Sequence, residues 1–474
     1  MLACMPKAKS SRPAGASKGR ISRSARGSLT SNALKLFCFA AAIFAIVQAW
    51  TLSERLACID FYGFWSAGQA VRETQAGDIY SAAERQRLGK LMLERAEAEA
   101  GSSPQGKAAS KRLQSAHSRD VLETYSTPWL YTLFALASGG NYDRDQDRYL
   151  HFSLFCLVFG VAAISAILDF TPAAGAVAVT VFVSWFFPAK SEMFVGNVNR
   201  VQLALLTLFL LIQSRESWRW RHAVGGFVLG FAVVFKPNLG FVALTLILGW
   251  AVFKRYRKLL LESAGMVLGG IFSITASAWY FRSLHPWLSW ARELSRFMSE
   301  YDITVSRGNF SLARLTRDSV GEGVTSLFPI LFLGVVVLVL VRSRSKSGAA
   351  SVQSGGRPDP KRDLHWDVLL VSLGASVSLL SVQLAWLHYF VLTIPAVLYL
   401  LRPPGSTEGA ASSRRAILRV MAVAGGLMVA MDPQAFFQWD ISDYESALLV
   451  SGGTLILFVL ALLDLPPMPQ ENPS

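Results

Sequence analysis

Acidic residues and cysteine are both scarce in this chain, and no soluble domain of useful size can be read from it. Asp and Glu total 32 against 46 Lys and Arg, and charged residues make up only 16% of the sequence. That small share, beside 52% hydrophobic residues and a mean hydropathy of +0.37, excludes most soluble folds and fits a polytopic helical membrane protein. The four cysteines (Cys4, Cys38, Cys58 and Cys156) lie far apart, with neither metal-ligand spacing nor a disulfide framework, and read as structural. Without an acidic cluster of cation-ligand spacing, no metal is expected. No glycine-rich nucleotide loop lies between a strand and a helix, which argues against a sugar-nucleotide donor held by a soluble domain. Internal repeats are absent too.

Present instead are many apolar segments separated by short basic loops. Net charge is +14, but basic and aromatic residues are not interleaved in a soluble domain, so nucleic acid is not an expected partner. A crossing of the hydrocarbon core takes roughly 20 apolar residues. Twelve segments approach that length: 34–52, 149–168, 173–188, 198–213, 223–235, 239–253, 259–281, 324–341, 364–382, 387–401, 416–431 and 447–463. The tail 1–33 carries seven Lys and Arg without one acid, and reads as a disordered cytoplasmic segment before an uncleaved anchor.

Alternating the spans from a cytoplasmic start places four basic groups inside: Arg215–Arg221, Lys254–Lys258, Arg342–Lys346 and Arg402–Arg415. Both termini, including a short tail 464–474, then lie in the cytoplasm of an inner, or plasma, membrane protein. The segment 342–363 reads as a flexible linker between a module spanning 34–341 and the last helices, 364–463. Two large outer loops follow, 53–148 and 282–323. The first contains a charged helical stretch at Ala82–Ala100 and an apolar piece, Pro128–Ala137. If that piece crossed, every later basic loop would be inverted, so it is expected to be interfacial or re-entrant. The second holds Trp287 and Trp290, in positions where aromatics anchor at the headgroup level.

Sorted by side, the polar residues collect on the outer face. Asp60 follows the first span in Cys58-Ile59-Asp60-Phe61-Tyr62. Asn197, Asn199 and Arg200 open the fourth span, Lys236 joins the fifth and sixth, Asn309 and Ser311 lie in the second loop, and His388-Tyr389 starts the tenth. Each has a plainer reading: Asp60 capping an interfacial helix, Lys236 snorkelling, His388 hydrogen-bonded in the core, Asn199 and Arg200 capping a helix. Independent plain roles would scatter over both faces, whereas ionisable groups at membrane depth mark functional pathways by default. A carboxylate can deprotonate an acceptor hydroxyl, and Lys236 or Arg200 can stabilise a departing phosphate.

These residues resemble glycosyltransferase family 87, the polyprenyl-phosphate-mannose-dependent mannosyltransferases of the GT-C membrane fold. The likeness runs from about residue 55 to 400, through Asp60-Phe61-Tyr62, Gly77-Asp78-Ile79-Tyr80, Tyr125-Ser126-Thr127-Pro128, Gly196-Asn197-Val198-Asn199, Phe235-Lys236-Pro237, Gly308-Asn309-Phe310-Ser311 and His388-Tyr389. Ser126-Thr127-Pro128 stands where the family often has Tyr-Pro-Pro, and Asn197 stands where it often has Gly-Gln before the later Asn. The resemblance implies an all-α polytopic GT-C-type glycosyltransferase with about twelve transmembrane helices. It implies Asp60 as catalytic base and a role for His388 near the reacting sugar. Lys236, Arg200 and Asn199 are then expected at the donor phosphate, and Asn197, Asn309, Ser311, Tyr62 and Tyr389 at the substrate.

The expected activity is inverting transfer of a hexose, mannose foremost, from a polyprenyl-phosphate donor to a lipid or glycan acceptor at the outer face. The carrier phosphate already activates the sugar, so no cofactor is expected. Arabinofuranose or glucose donors are an alternative on the same fold. A transporter or flippase of lipid-linked sugars is the alternative from another class, against which the absence of repeated halves counts.

Overall fold

The computed structural model describes residues 21–74, 78–102, 110–300, 304–350, 360–404, 413–431 and 442–465. Among these residues the chain is built of helices: α1 (Ile21–Ser53), α2 (Ile59–Thr74), α3 (Ala82–Ser102), α4 (Lys111–His117), α5 (Pro128–Ala137), α6 (Tyr142–Ile167), α7 (Pro172–Ser184), α8 (Phe187–Val195), α9 (Asn199–Gln213) and α10 (Arg221–Phe235). There follow α11 (Gly240–Val252), α12 (Tyr256–Phe281), α13 (His285–Glu300), α14 (Leu312–Val320), α15 (Glu322–Thr325), α16 (Phe328–Ala350), α17 (Pro360–Ser381), α18 (Ile394–Leu401), α19 (Ser413–Ala430) and α20 (Asp443–Leu463). The starts are written locally. Thr127-Pro128 and Thr171-Pro172 open α5 and α7 alike, with the threonine hydroxyl capping the first turn and proline filling a position whose N–H has no partner. Ser442 and Glu445 form a reciprocal capping box at α20.

Among the described residues, six helices are long and apolar enough to cross a membrane, or seven if the bent pair α7–α8 is one span. The protein is therefore an all-α chain consistent with a polytopic membrane bundle. The segments 198–213, 223–235, 239–253 and 387–401 form shorter helices of 10–17 residues, and 416–431 lies in the 18-residue α19. A helix the length of α10 rises only about 22 Å, less than the roughly 30 Å hydrocarbon core. Pro237 accounts for one break, since it cannot continue α10, and the chain instead makes a 3-10 turn at Pro237–Leu239 before α11.

Several boundaries differ from expectation. The first helix begins at Ile21, inside the tail expected to be disordered, and α16 runs to Ala350, into the expected linker. Residues 1–20, 351–359 and 466–474, and with them Gly77, lie outside the described residues.

Two apolar cores meet along the molecule. The larger joins α1, α6, α7, α9, α11 and α16–α20. The smaller lies under the first loop, where α2–α5 pack on the start of α6 and on Met193, Val198 and Phe235. Helix α5 is largely buried by protein, as a non-spanning apolar helix must be. Trp287 and Trp290 are half-buried, and their indole N–H groups donate to Ser277 Oγ at 2.9 Å and Tyr125 O at 3.1 Å. Helices α10 and α12 pack backbone against backbone. There Gly226 and Gly230 face Gly265 and Gly269, and a methyl on Gly230 would lie 2.0 Å from the Met266 carbonyl oxygen.

Candidate functional site

The seam between the two cores carries the polar cluster, and a chain reversal creates it. Helix α8 ends at Gly196 with φ +69°, a left-handed conformation natural to glycine. A methyl there would lie 2.8 Å from Phe61 Cβ and 2.9 Å from Cys58 Cβ, so the α8–α9 turn lies directly against the start of α2. Cys58 is buried beside it and donates to Met193 O at 3.4 Å; burial pushes its thiol up to about 12, which leaves it inert.

Asp60 lies in the first turn of α2. Its Oδ1 accepts from Arg119 Nη2 at 2.9 Å and its Oδ2 from Asn197 Nδ2 at 2.7 Å. Its side chain keeps 17% exposure and stands 3.8 Å from His388 Nε2. That imidazole nitrogen is buried without a hydrogen-bond partner. A carboxylate oxygen has two lone pairs, so each oxygen of Asp60 can accept one more bond. The carboxylate is thus tied to other segments of the chain, unlike a solvated cap.

On the other side of the amides, Lys236 Nζ donates to Asn197 Oδ1 and Asn199 Oδ1, each at 2.9 Å, and stands 4.0 Å from the Tyr389 ring centroid. Asn199 Nδ2 in turn donates to Glu192 Oε2 at 2.7 Å, while Glu192 Oε1 accepts the Asn199 and Arg200 backbone N–H groups at 2.5 and 3.3 Å. Glu192 therefore caps α9 and is fully buried. Two carboxylates orient two amides, and both amides present their oxygens to one ammonium. Burial pushes the Lys236 ammonium down to about 8, against the attraction of Glu192 and Asp60. Two further bonds flank Lys236: Thr127 Oγ1 to Phe235 O at 3.2 Å, and Gln202 Nε2 to Asn238 Oδ1 at 2.6 Å.

Asp60, Asn197, Asn199, Lys236, His388 and Tyr389 are brought together. Four other expected residues have different surroundings. Arg200 is buried behind Glu192, donating to Ala189 O at 2.5 Å, with Nε and Nη1 unpartnered. Tyr62 is buried in the smaller core, edge-on to Tyr142. Asn309 donates to Gln383 O at 2.7 Å and accepts from Ala385 N at 3.1 Å, while Ser311 Oγ donates to Val382 O. Those two hold the backbone that leads into His388.

Glu192 and Arg119 are members that sequence reasoning passed over. Glu192 had a signal, as the sole acid between Asp169 and Glu216. Arg119, within the first outer loop, had none. Among the described residues no three His, Cys, Asp or Glu side chains gather as a metal-ligand set. The chemistry open to this cluster is proton acceptance by Asp60 and stabilisation of an anion by Lys236 and Arg119. Comparison with family models, with curated proteins and with solved structures finds no match to this chain.

Proposed function

We propose that this chain is an integral membrane glycosyltransferase of the GT-C type, moving a hexose, mannose foremost, from a polyprenyl-phosphate donor to a lipid or glycan acceptor. The observation that carries this reading is the meeting of Asp60, His388, Lys236 and Arg119 from four separated segments at one end of the bundle. In it, Asp60 takes the proton of the acceptor hydroxyl. The acceptor oxygen then bonds to the anomeric carbon from the face opposite the carrier, and the carbon–oxygen bond to phosphate breaks with its electron pair leaving on the phosphate. Configuration inverts. Lys236 stabilises the departing dianion, with Arg119 in the place first expected of Arg200. Asn197 and Asn199 hold Lys236, and Asn309 and Ser311 hold the approach to His388.

The reading includes a topology: termini in the cytoplasm, this cluster at the outer face of the plasma membrane, and α9, α10, α11, 387–401 and α19 completing about twelve crossings. Incubating membranes with radiolabelled polyprenyl-phosphate-mannose tests it, for wild type and Asp60→Asn. Label entering lipid or glycan only with wild type supports the reading. No transfer from mannose, glucose or arabinofuranose carriers would overturn it.

A further inference from the structure

A charged hollow lies behind α8, and Asp60 is not among its lining residues. Ala45 and Ala49, one helical turn apart on α1, let α7 pack closely, and α8 then departs from α7 by 53°. The bend opens a groove of about 360 Å³ between the last turns of α1 and the start of α8. Arg55 and Lys190 line it, with Gln48 and Ser184 adding an amide and a hydroxyl. No carboxylate lines it. Neither cation has an ion pair among the described residues.

The walls differ from those of a water-facing cleft. On the same stretch of α1, Phe44 (65%) and Val47 (51%) are exposed, and Trp185 (61%) is exposed next to Ser184 at the α7–α8 joint. Helix α1 is among those with the length and composition of a span, so this apolar surface faces lipid. Two uncompensated cations at the rim of a lipid-facing hollow attract a phosphate ester whose tails run along the apolar walls. A soluble phosphate would gain nothing from Phe44, Val47 or Trp185.

We propose that the groove between α1 and the α7–α8 bend binds the phosphate headgroup of an anionic membrane lipid, held by Arg55 and Lys190. The site is independent of the transferase reading, since none of its groups belongs to the Asp60 cluster. Met193 connects the two places, lining the groove while its carbonyl holds Cys58. A lipid seated there braces α8 from behind, and α8 carries Glu192 on its other side.

The test uses purified full-length protein in detergent, with phosphatidic acid as probe and phosphatidylcholine as control, and lipid retention read by native mass spectrometry. Wild type is expected to retain phosphatidic acid over phosphatidylcholine. Arg55→Ala and Lys190→Ala should each lower retention about fivefold. The Arg55→Lys/Lys190→Arg protein keeps both charges and should retain lipid as wild type does, which separates lost charge from lost fold. Retention unchanged in the double alanine protein would overturn the proposal. So would displacement of the lipid by millimolar inorganic phosphate, which would make this a site for the free anion.

Discussion

At one end of α10 a lysine is held by two amides, and at the other a lysine is held directly by a carboxylate. Lys236 meets Asn197 and Asn199, with Asp60 and Glu192 one bond further out. Lys258 instead donates to both oxygens of Asp367 at 2.7 and 2.8 Å, beside Glu262, which accepts from Trp250 Nε1 at 2.6 Å. The neighbouring Arg255–Asp363 pair, at 3.0 Å, fastens the same two helices, α12 and α17. Direct pairing spends both charges on each other. Pairing through amides keeps the Lys236 ammonium off any direct carboxylate partner, while Asp60 pairs with Arg119 through one oxygen and meets Asn197 through the other. The first arrangement is a clamp, and the second fits a site that must take a proton and meet an anion.

The comparison is broken most decisively at Asp60. Asp60→Asn is expected to lower transfer by at least about a thousandfold, within the range for a lost general base, with membrane insertion unchanged. Near-normal turnover in the labelled-donor assay would remove Asp60 from the chemistry. At the clamp, Asp367→Ala should leave Lys258 with only Glu262, 3.9 Å away, as its ion partner, at a cost of about 3 kcal/mol in stability. Replacing both partners, as Lys258→Met with Asp367→Leu, should return the thermal midpoint close to wild type. A double replacement as damaging as the single one would mean that the inner pair does more than fasten helices.

Lys236→Ala should weaken donor use about tenfold to a hundredfold and acceptor use less. Its sign with pH is set by burial: the ammonium is charged below about 8 and neutral above it. Wild-type donor affinity should therefore decline as pH rises through that value and approach the variant's. A variant deficit constant from pH 6 to pH 10 would separate Lys236 from phosphate. The smallest effect is expected at Asn309→Ala, which frees the backbone before His388 without touching Asp60. A loss of about 1 kcal/mol in stability with a several-fold fall in turnover is anticipated. Turnover falling as far as in Asp60→Asn would give Asn309 a direct role.

Much of the candidate site was legible because its members follow span ends. Asp60 comes just after the first apolar run, Lys236 stands before a proline that stops a helix, and Asn197 and Asn199 follow a glycine. Helix ends carry unpaired backbone groups and attract such residues. Arg200 misled, because at the start of an apolar segment it looks interfacial, yet it turns inward behind Glu192. The span count was legible as apolar segments but not as crossings. Hydropathy does not show where α7 bends from α8 or that α9, α10 and α11 are short.

Composition and the order of apolar and basic segments were sufficient, by themselves, for an all-helical membrane-type chain with its acids near the ends of spans. Hydrophobicity and helix capping act over a few residues and can be read along the chain. The pairings needed the tertiary structure. Arg119 reaches Asp60 across 59 residues and Lys258 reaches Asp367 across 109. Contacts at such separations exist only once helices have packed, and packing depends on shape as well as polarity. Close glycine contacts at Gly196 and between α10 and α12 decided which polar groups met, and hence which lysine is clamped and which is left available.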